Sequence, residues 1–412
     1  MSYEGGSVGP GRLIAALDLG SSKTVAIVAR VASADEVEII GLGVVEARGV
    51  KSGSVTNIEQ TVKSIHDAIE EAELMSATEI DEVVINISGK NVRGDNATGM
   101  VTITGRDRII THADVFRVID TAQNVRIPAD QEILHVLSRE FKVDDQAGIK
   151  DPLGMVGVRL DAQVHIVTAP VTQLQNTEKA VEQAGVRVSN KVLSALASSQ
   201  ALLTEAEKDL GVAICDIGSG VIDLIIYVDG GVEYSATICL GGQHVTQDLS
   251  IGLKTPIDAA EMLKKRRGTA RAADVDPMEM VDVPSVGERA PRQIPRRDMA
   301  LIIEARMREM LELIDHELLK SGRKNILAGG IIFTGGGAQL EGLVGLAEEV
   351  LQLGASVAYP KGLMGISDKV ASPPFSTAAG LLLYQARYGE PDIQRSGKNL
   401  FGRVKNWLQK NL

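Results

Sequence analysis

The chain has 412 residues, of which 44% are apolar, and a formal net charge of −11. That length suits two to four folded units at roughly 150 residues each, and the apolar content excludes wholesale disorder. The acidic balance excludes a general nucleic-acid binder, whose surface must be basic to displace counterions, so no nucleic-acid partner is expected. Cys215 and Cys239 are the only cysteines, both in strand-like apolar runs. They are expected to be buried thiols, since two cysteines make neither a disulfide framework nor a four-ligand zinc site. The opening MSYEGGSVGP lacks the basic and apolar segments of a signal peptide. No apolar run approaches the ~20 residues that span a bilayer, so the body is expected in the cytoplasm.

The first informative segment is LIAALDLGSSKTVAIVARV at 13–31. An apolar strand runs into Asp18-Leu19-Gly20-Ser21, and β-branched Thr24, Val25, Ile27 and Val28 then favour a second strand rather than a helix. The turn is therefore the tip of a β-hairpin. Gly20 lets backbone N–H groups approach an anion without an intervening Cβ. Ser21 and Ser22 add hydroxyls, and Lys23 adds positive charge.

The pattern recurs in GVAICDIGSGVIDLIIYVD at 211–229, with Asp216 falling 198 residues after Asp18. Gly218, Ser219 and Gly220 form its turn. Two such hairpins, each opening one half of a duplicated chain, would clamp a phosphate chain from both sides. Asp18 and Asp216 are placed to orient waters around a magnesium ion (Mg2+) that is itself held mainly by nucleotide phosphates. Farther on, residues 264–298 form a basic, proline-containing run. GIIFTGGG at 330–337 is a buried strand ending in Gly335, Gly336 and Gly337, suited to close approach of a base and ribose. Residues from Ala338 to Leu353 have helical spacing, and a short strand is expected at Ala355–Ala358.

Residues 389–397 read as a linker, followed by KNLFGRVKNWLQKNL. Leu400, Phe401, Val404, Trp407 and Leu408 share one helical face, with Arg403, Lys405 and Lys410 off or beside it. A cationic amphipathic helix on an acidic body points to an anionic membrane surface, and indoles favour that interface. One such tail gives marginal, reversible attachment, so linking many tails in a polymer would multiply residence.

The order of these elements resembles the actin, sugar-kinase and heat-shock ATPase superfamily, and within it the FtsA family over nearly the whole chain. The stretches that carry the closer resemblance are IPADQEILHVLSREFKVDD (127–145), DPLGMVGVRL (151–160), GGQHVTQDLS (241–250), AAEMLKK (259–265) and the segment 281–311. LASSQALL (196–203) and AAGLLL (378–383) match the superfamily's two crossing helices. The resemblance implies an α/β, actin-like duplicated ATPase fold with two small inserted subdomains and a C-terminal amphipathic helix. The implied division is an N-terminus at 1–12, a first large subdomain at 13–85 and 166–194, and a family-specific small subdomain at 86–165. The second large subdomain covers 195–240 and 301–388, a second small one 241–300, the linker 389–398 and the membrane helix 399–412.

Position by position, the resemblance places Asp18, Gly20, Ser21 and Ser22 on one side of the phosphates and Asp216, Gly218, Ser219 and Gly220 on the other. Gly335, Gly336 and Gly337 would lie against the nucleoside. Gly241 and Gly242 would open the second small subdomain, with Glu261, Lys264 and Lys265 at the adenosine edge. It implies a polymerising protein that carries FtsZ to the cytoplasmic face of the inner membrane at the division site. The FtsZ tail would be received near Arg296, Arg297, Glu304 and Arg308, and later division proteins join as partners. The competing readings are a sugar-type kinase and a pilus or secretion platform of the same superfold. Heat-shock relatives carry an acid before the first crossing helix, where this chain reads Leu193-Ser194-Ala195-Leu196. Slow or absent hydrolysis is therefore expected.

Overall fold

The computed structural model describes residues 11–287 and 290–389. Leu400, Phe401, Arg403, Val404, Lys405, Trp407, Leu408 and Lys410, the expected membrane helix, lie outside the described residues.

Two sheets of like design form the two halves. In the first, Arg12–Leu19, Lys23–Ser33 and Glu36–Glu46 make an antiparallel meander, extended by the parallel strands Glu82–Ile87 and Arg187–Leu193. In the second, Val212–Ile217, Ile222–Val228 and Gly231–Ile238 make the meander, extended by the parallel Ile331–Thr334 and Ala355–Val357. The central strands are largely apolar because helices cover both faces, so Leu17, Ile27, Ile214 and Ile225 are fully buried.

Between the halves run two crossing helices, Ser194–Leu202 and Ser376–Tyr388. Small residues let them touch backbone to backbone: a Cβ at Gly380 would lie 1.8 Å from the Ala197 carbonyl oxygen. No larger residue fits there without moving a helix.

A four-stranded sheet, ordered Arg93–Thr102, Arg159–Pro170, Gln131–Val143 and Gln146–Ile149, is inserted into the first half. The amphipathic helix His112–Gln123 packs on it through Val115, Val118 and Ile119. The second small subdomain holds helices Gly242–Gly252 and Ile257–Arg267 and the hairpin Met280–Val283/Arg292–Pro295. From it the helix Arg296–Lys320 returns to the second half, burying Met299, Ile303, Met307, Met310, Ile314 and Leu318 at helical spacing.

Two expectations need correction. The helix expected from Ala338 begins only at Leu343; Gly336–Gln339 is a 3-10 turn. Between them Glu341 runs extended to bridge Thr269, its carbonyl accepting from the Ala270 N–H at 2.7 Å. Gly342 then turns at φ 78°. Pairing with the second small subdomain thus outweighs helical spacing. Cys239 is only half-buried, whereas Cys215 is fully buried and burial pushes its thiol well up. No described helix is long and apolar enough to cross a membrane.

Candidate nucleotide site between the halves

The two hairpin turns are built alike. The Gly20 N–H donates to the Lys23 carbonyl at 3.1 Å, and the Gly218 N–H donates to the Val221 carbonyl at 2.9 Å. Each turn sits where a buried strand leaves its sheet. The turns face one another: a Cβ on Gly220 would meet Ser21 Oγ at 2.9 Å. Ser21 Oγ also accepts from the Gly53 N–H at 3.4 Å, whereas the Ser22 side chain is exposed.

The buried carboxylates are held differently. Asp216 accepts from Ser198 Oγ at 2.8 Å and Thr377 Oγ1 at 3.1 Å, one donor from each crossing helix. Among the described residues no side chain hydrogen-bonds to Asp18. Lys23 lies between them electrostatically and places its ammonium over the Phe375 ring, 3.3 Å from the centroid, a cation–π contact with the second half.

Directly across the strands from Asp216 lies a third acid, Asp223. It accepts from Ser88 Oγ at 2.6 and 2.8 Å and from Thr237 Oγ1 at 2.6 Å. Burial pushes Asp18 up to about 7; Lys23 opposes the rise, while Asp216 and Asp223 add to it. Burial likewise takes Asp223 up to about 7 against its two hydrogen bonds, and raises Asp216. Lys23 falls to about 8 through burial, with Asp18 and Asp216 resisting.

Gly335, Gly336 and Gly337 close the second side. A Cβ on Gly335, at φ 81°, would stand 2.2 Å from an Asp216 carboxylate oxygen, and one on Gly337 2.3 Å from Ile217 Cγ2. The glycine run is thus seated on the second hairpin. A Cβ on Gly336 would meet nothing within 4 Å, so its side is open. Beyond the hairpin, the Gly242 N–H donates to the Gly218 carbonyl at 2.9 Å, and a Cβ on Gly241 would strike the Ser219 carbonyl at 2.5 Å. This pins the second small subdomain to the turn.

Lys264 Nζ donates to the Gly242 carbonyl at 2.9 Å and pairs with Glu261 at 2.6 Å. Burial works against the charge of Glu261, yet hydrogen bonds from Lys264 and Thr246 hold its carboxyl below the ordinary range. Lys265 reaches Glu261 at 3.2 Å but is mostly exposed. Glu261, Lys264 and Gly242 therefore form one cluster beside the second hairpin turn, and Lys265 stands outside it.

The residues fit a magnesium nucleotide. Three buried acids stand against one lysine, a deficit of positive charge that a divalent cation would offset. Among the described residues no group of three or more His, Cys, Asp or Glu is built to hold a metal alone, so the phosphates must provide most ligands.

The sequence reading missed Asp223, Ser88, Asn86, Ser198 and Thr377. The signal for Asp223 was an acid inside the otherwise apolar IDLIIYV. Asn86 Oδ1 accepts from the Leu19 N–H at 2.7 Å and its amide donates to Ser194 Oγ at 3.2 Å, bracing the first turn.

The expected partner surface is more occupied than its charge suggests. Arg296 pairs with Glu279 at 2.9 Å and Glu341 at 3.0 Å, and donates to the Arg267 carbonyl. Glu304 accepts from the Ala272 N–H at 2.7 Å, and Arg308 pairs with Glu349 at 2.9 Å. Arg297 is exposed and makes no ion pair among the described residues. Of the four residues, it alone presents an uncommitted charge.

Two family models match. One, described as "Cell division protein FtsA", covers residues 213–380, and one described as "SHS2 domain inserted in FTSA" covers 89–168. The chain is 40% identical to the cell division protein FtsA of Pseudomonas aeruginosa, over 98% of this chain and 99% of that protein. It is 37% identical to the FtsA of Escherichia coli K12, over 97% of this chain and 98% of that one. Among solved structures, a PilM–PilN type IV pilus biogenesis complex aligns with TM-score 0.65 at 16% identity, covering 92% of this chain and 99% of that one. MreB5 of Spiroplasma citri bound to ADP aligns with TM-score 0.54 at 13% identity, covering 91% of this chain and 96% of that one. The fold is therefore the actin-like ATPase fold.

Proposed function

We propose, from the premise that this chain belongs to the FtsA family of cell division proteins, that it binds ATP with magnesium between its halves, polymerises, and carries FtsZ to the cytoplasmic membrane. The observation that carries the nucleotide reading is the facing pair of matched turns, with Gly220 against Ser21. Backbone N–H groups of both tips would hold the phosphates, Lys23 would add charge from the first half, and Gly335–Gly337 would border the nucleoside. Asp18 and Asp216 would orient waters around magnesium, whose bound charge neutralises phosphate oxygens.

Slow hydrolysis is part of this reading. Ser194 occupies the start of the first crossing helix and donates to the Ile87 carbonyl at 3.2 Å. A hydroxyl committed in this way offers no base, and general-base help contributes roughly 10²–10⁴-fold. A nucleotide held but seldom cleaved suits a switch for assembly. Similarity at 40% identity to an FtsA, against 16% to a pilus complex, favours the division role over the pilus platform.

Membrane attachment rests on the sequence of 399–412. Co-pelleting with anionic liposomes compares the full chain with residues 1–397, with and without ATP. The full chain is expected to pellet, more with ATP, and the truncation to stay in solution. Equal behaviour of the two would remove the tail as anchor.

A further inference from the structure

The outermost strand of the second half, Gly231–Ile238, carries a run of polar side chains that the nucleotide site does not explain. Ser235 and Thr237 share a face by strand alternation, and Glu233 sits at a β-bulge in the pairing with Ile222–Val228. Each is committed at a different place. Thr237 donates to Asp223, which faces Asp216 across the hairpin and takes Ser88 from the first half. Ser235 Oγ is 2.8 Å from His165 Nε2 on the inserted sheet; His165 Nδ1 is 2.7 Å from Asn96 Oδ1. The Asn96 amide donates to the Glu233 carbonyl at 3.1 Å. The buried Glu233 carboxylate lies between Arg139 of the inserted sheet and Arg323 of its own half.

One three-stranded meander therefore carries the Gly218–Gly220 turn between its first two strands and meets the inserted subdomain along its third. We propose that this meander is a lever: phosphate bound at Gly218–Gly220 sets how firmly the inserted subdomain is held through Ser235 and Glu233. The inference rests on the nucleotide reading above and adds a regulated element to it. Hydrogen-bonded strands move as a rigid unit, and a buried acid between two arginines is either engaged or costly. The junction thus has two discrete arrangements, docked and released, rather than a graded one. Because coupling is reciprocal, a released subdomain must also weaken nucleotide binding.

The test uses the full chain, magnesium with the non-hydrolysable analogue AMPPNP, and amide hydrogen exchange read at residues 159–170. A fluorescent ATP analogue reports binding and dissociation. In the wild type, nucleotide is expected to slow exchange there by roughly fivefold or more; in a Glu233→Gln, Ser235→Ala double variant the slowing should fall below about twofold, with the fluorescent analogue leaving several-fold faster. Arg139→Met, which breaks the junction from the other side, should reproduce both changes if the variants' loss is coupling and not misfolding. Binding by the wild type without altered exchange at 159–170, or a full response in both variants, overturns the lever alone. Failure of the wild type to bind the fluorescent analogue overturns the nucleotide reading and the lever with it, and is seen before any exchange is measured.

Discussion

The two matched hairpins share a backbone and differ in charge. Asp18 and Asp216, Gly20 and Gly218 occupy like positions, and the turn hydrogen bonds match within 0.2 Å, at 3.1 and 2.9 Å. Yet Lys23 stands where the second hairpin has Val221, and Val25 where it has Asp223. Asp216 is tied to both crossing helices, while Asp18 is tied to neither. The same turn is thus built twice, with different side chains in each half. The first brings the cation and an acid without a side-chain hydrogen bond among the described residues; the second brings an acid held by two hydroxyls and, across from it, Asp223, bonded to Ser88 of the first half and Thr237 of its own.

The largest effect should come from the crossing helices, where Gly380 and Ser198 occupy like positions four residues after Ser376 and Ser194. Gly380→Ala is expected to cost about 3 kcal/mol, because its Cβ would overlap the Ala197 carbonyl. Ser198→Ala removes one hydrogen bond to Asp216 and should cost about 1 kcal/mol. Urea denaturation distinguishes them, and equal losses would mean that the helices do not touch as described.

Next is the acid that the first hairpin lacks. The unfolded Asp223 carboxyl ionises near its ordinary value of 3.8, whereas burial takes the folded one up to about 7. Between those values the unfolded chain gives up a proton that the folded chain keeps, so stability falls as pH rises through the window. Asp223→Asn should flatten that fall by about 2 kcal/mol in the nucleotide-free protein. Asp18, with its own rise to about 7, should leave a remaining slope. Thermal melts from pH 4 to 8, taken as roughly the span of the window, would reveal a wrong sign at once.

The smallest effect sharpens the contrast in cations. Lys23→Met should weaken ATP binding about tenfold, near 1.4 kcal/mol, and Val221→Met should change it less than about twofold. Titration with a fluorescent ATP analogue gives both values. A loss shared equally between the two would show that the hairpins contribute alike.

Much of the fold was legible because the repeat announces itself: Asp-x-Gly-Ser after a buried strand is a local pattern, and its recurrence implies the duplicated sheet. The small-residue crossing helices were legible for a related reason, since Ala378-Ala379-Gly380 carries nothing larger than a methyl group. What stayed hidden depends on distant partners. Asp223 reads as a lapse in an apolar strand until Ser88, 135 residues away, is brought to it. Arg296 reads as surface charge until Glu279 and Glu341 close on it. Helical spacing misled at Leu340–Gly342 because periodicity does not register a bridge to Thr269.

The capped outer strand Gly231–Ile238 has a consequence for orderly assembly. An open strand edge invites any other open edge, and so competes with whatever contact a filament is meant to use. Here the edge of the second sheet meets the inserted subdomain, whose Asn96 takes the Glu233 carbonyl. The opposite edge, Ala355–Val357, is only three residues long. Neither offers a long ladder for adventitious pairing, so two copies have little to join them through their second sheets.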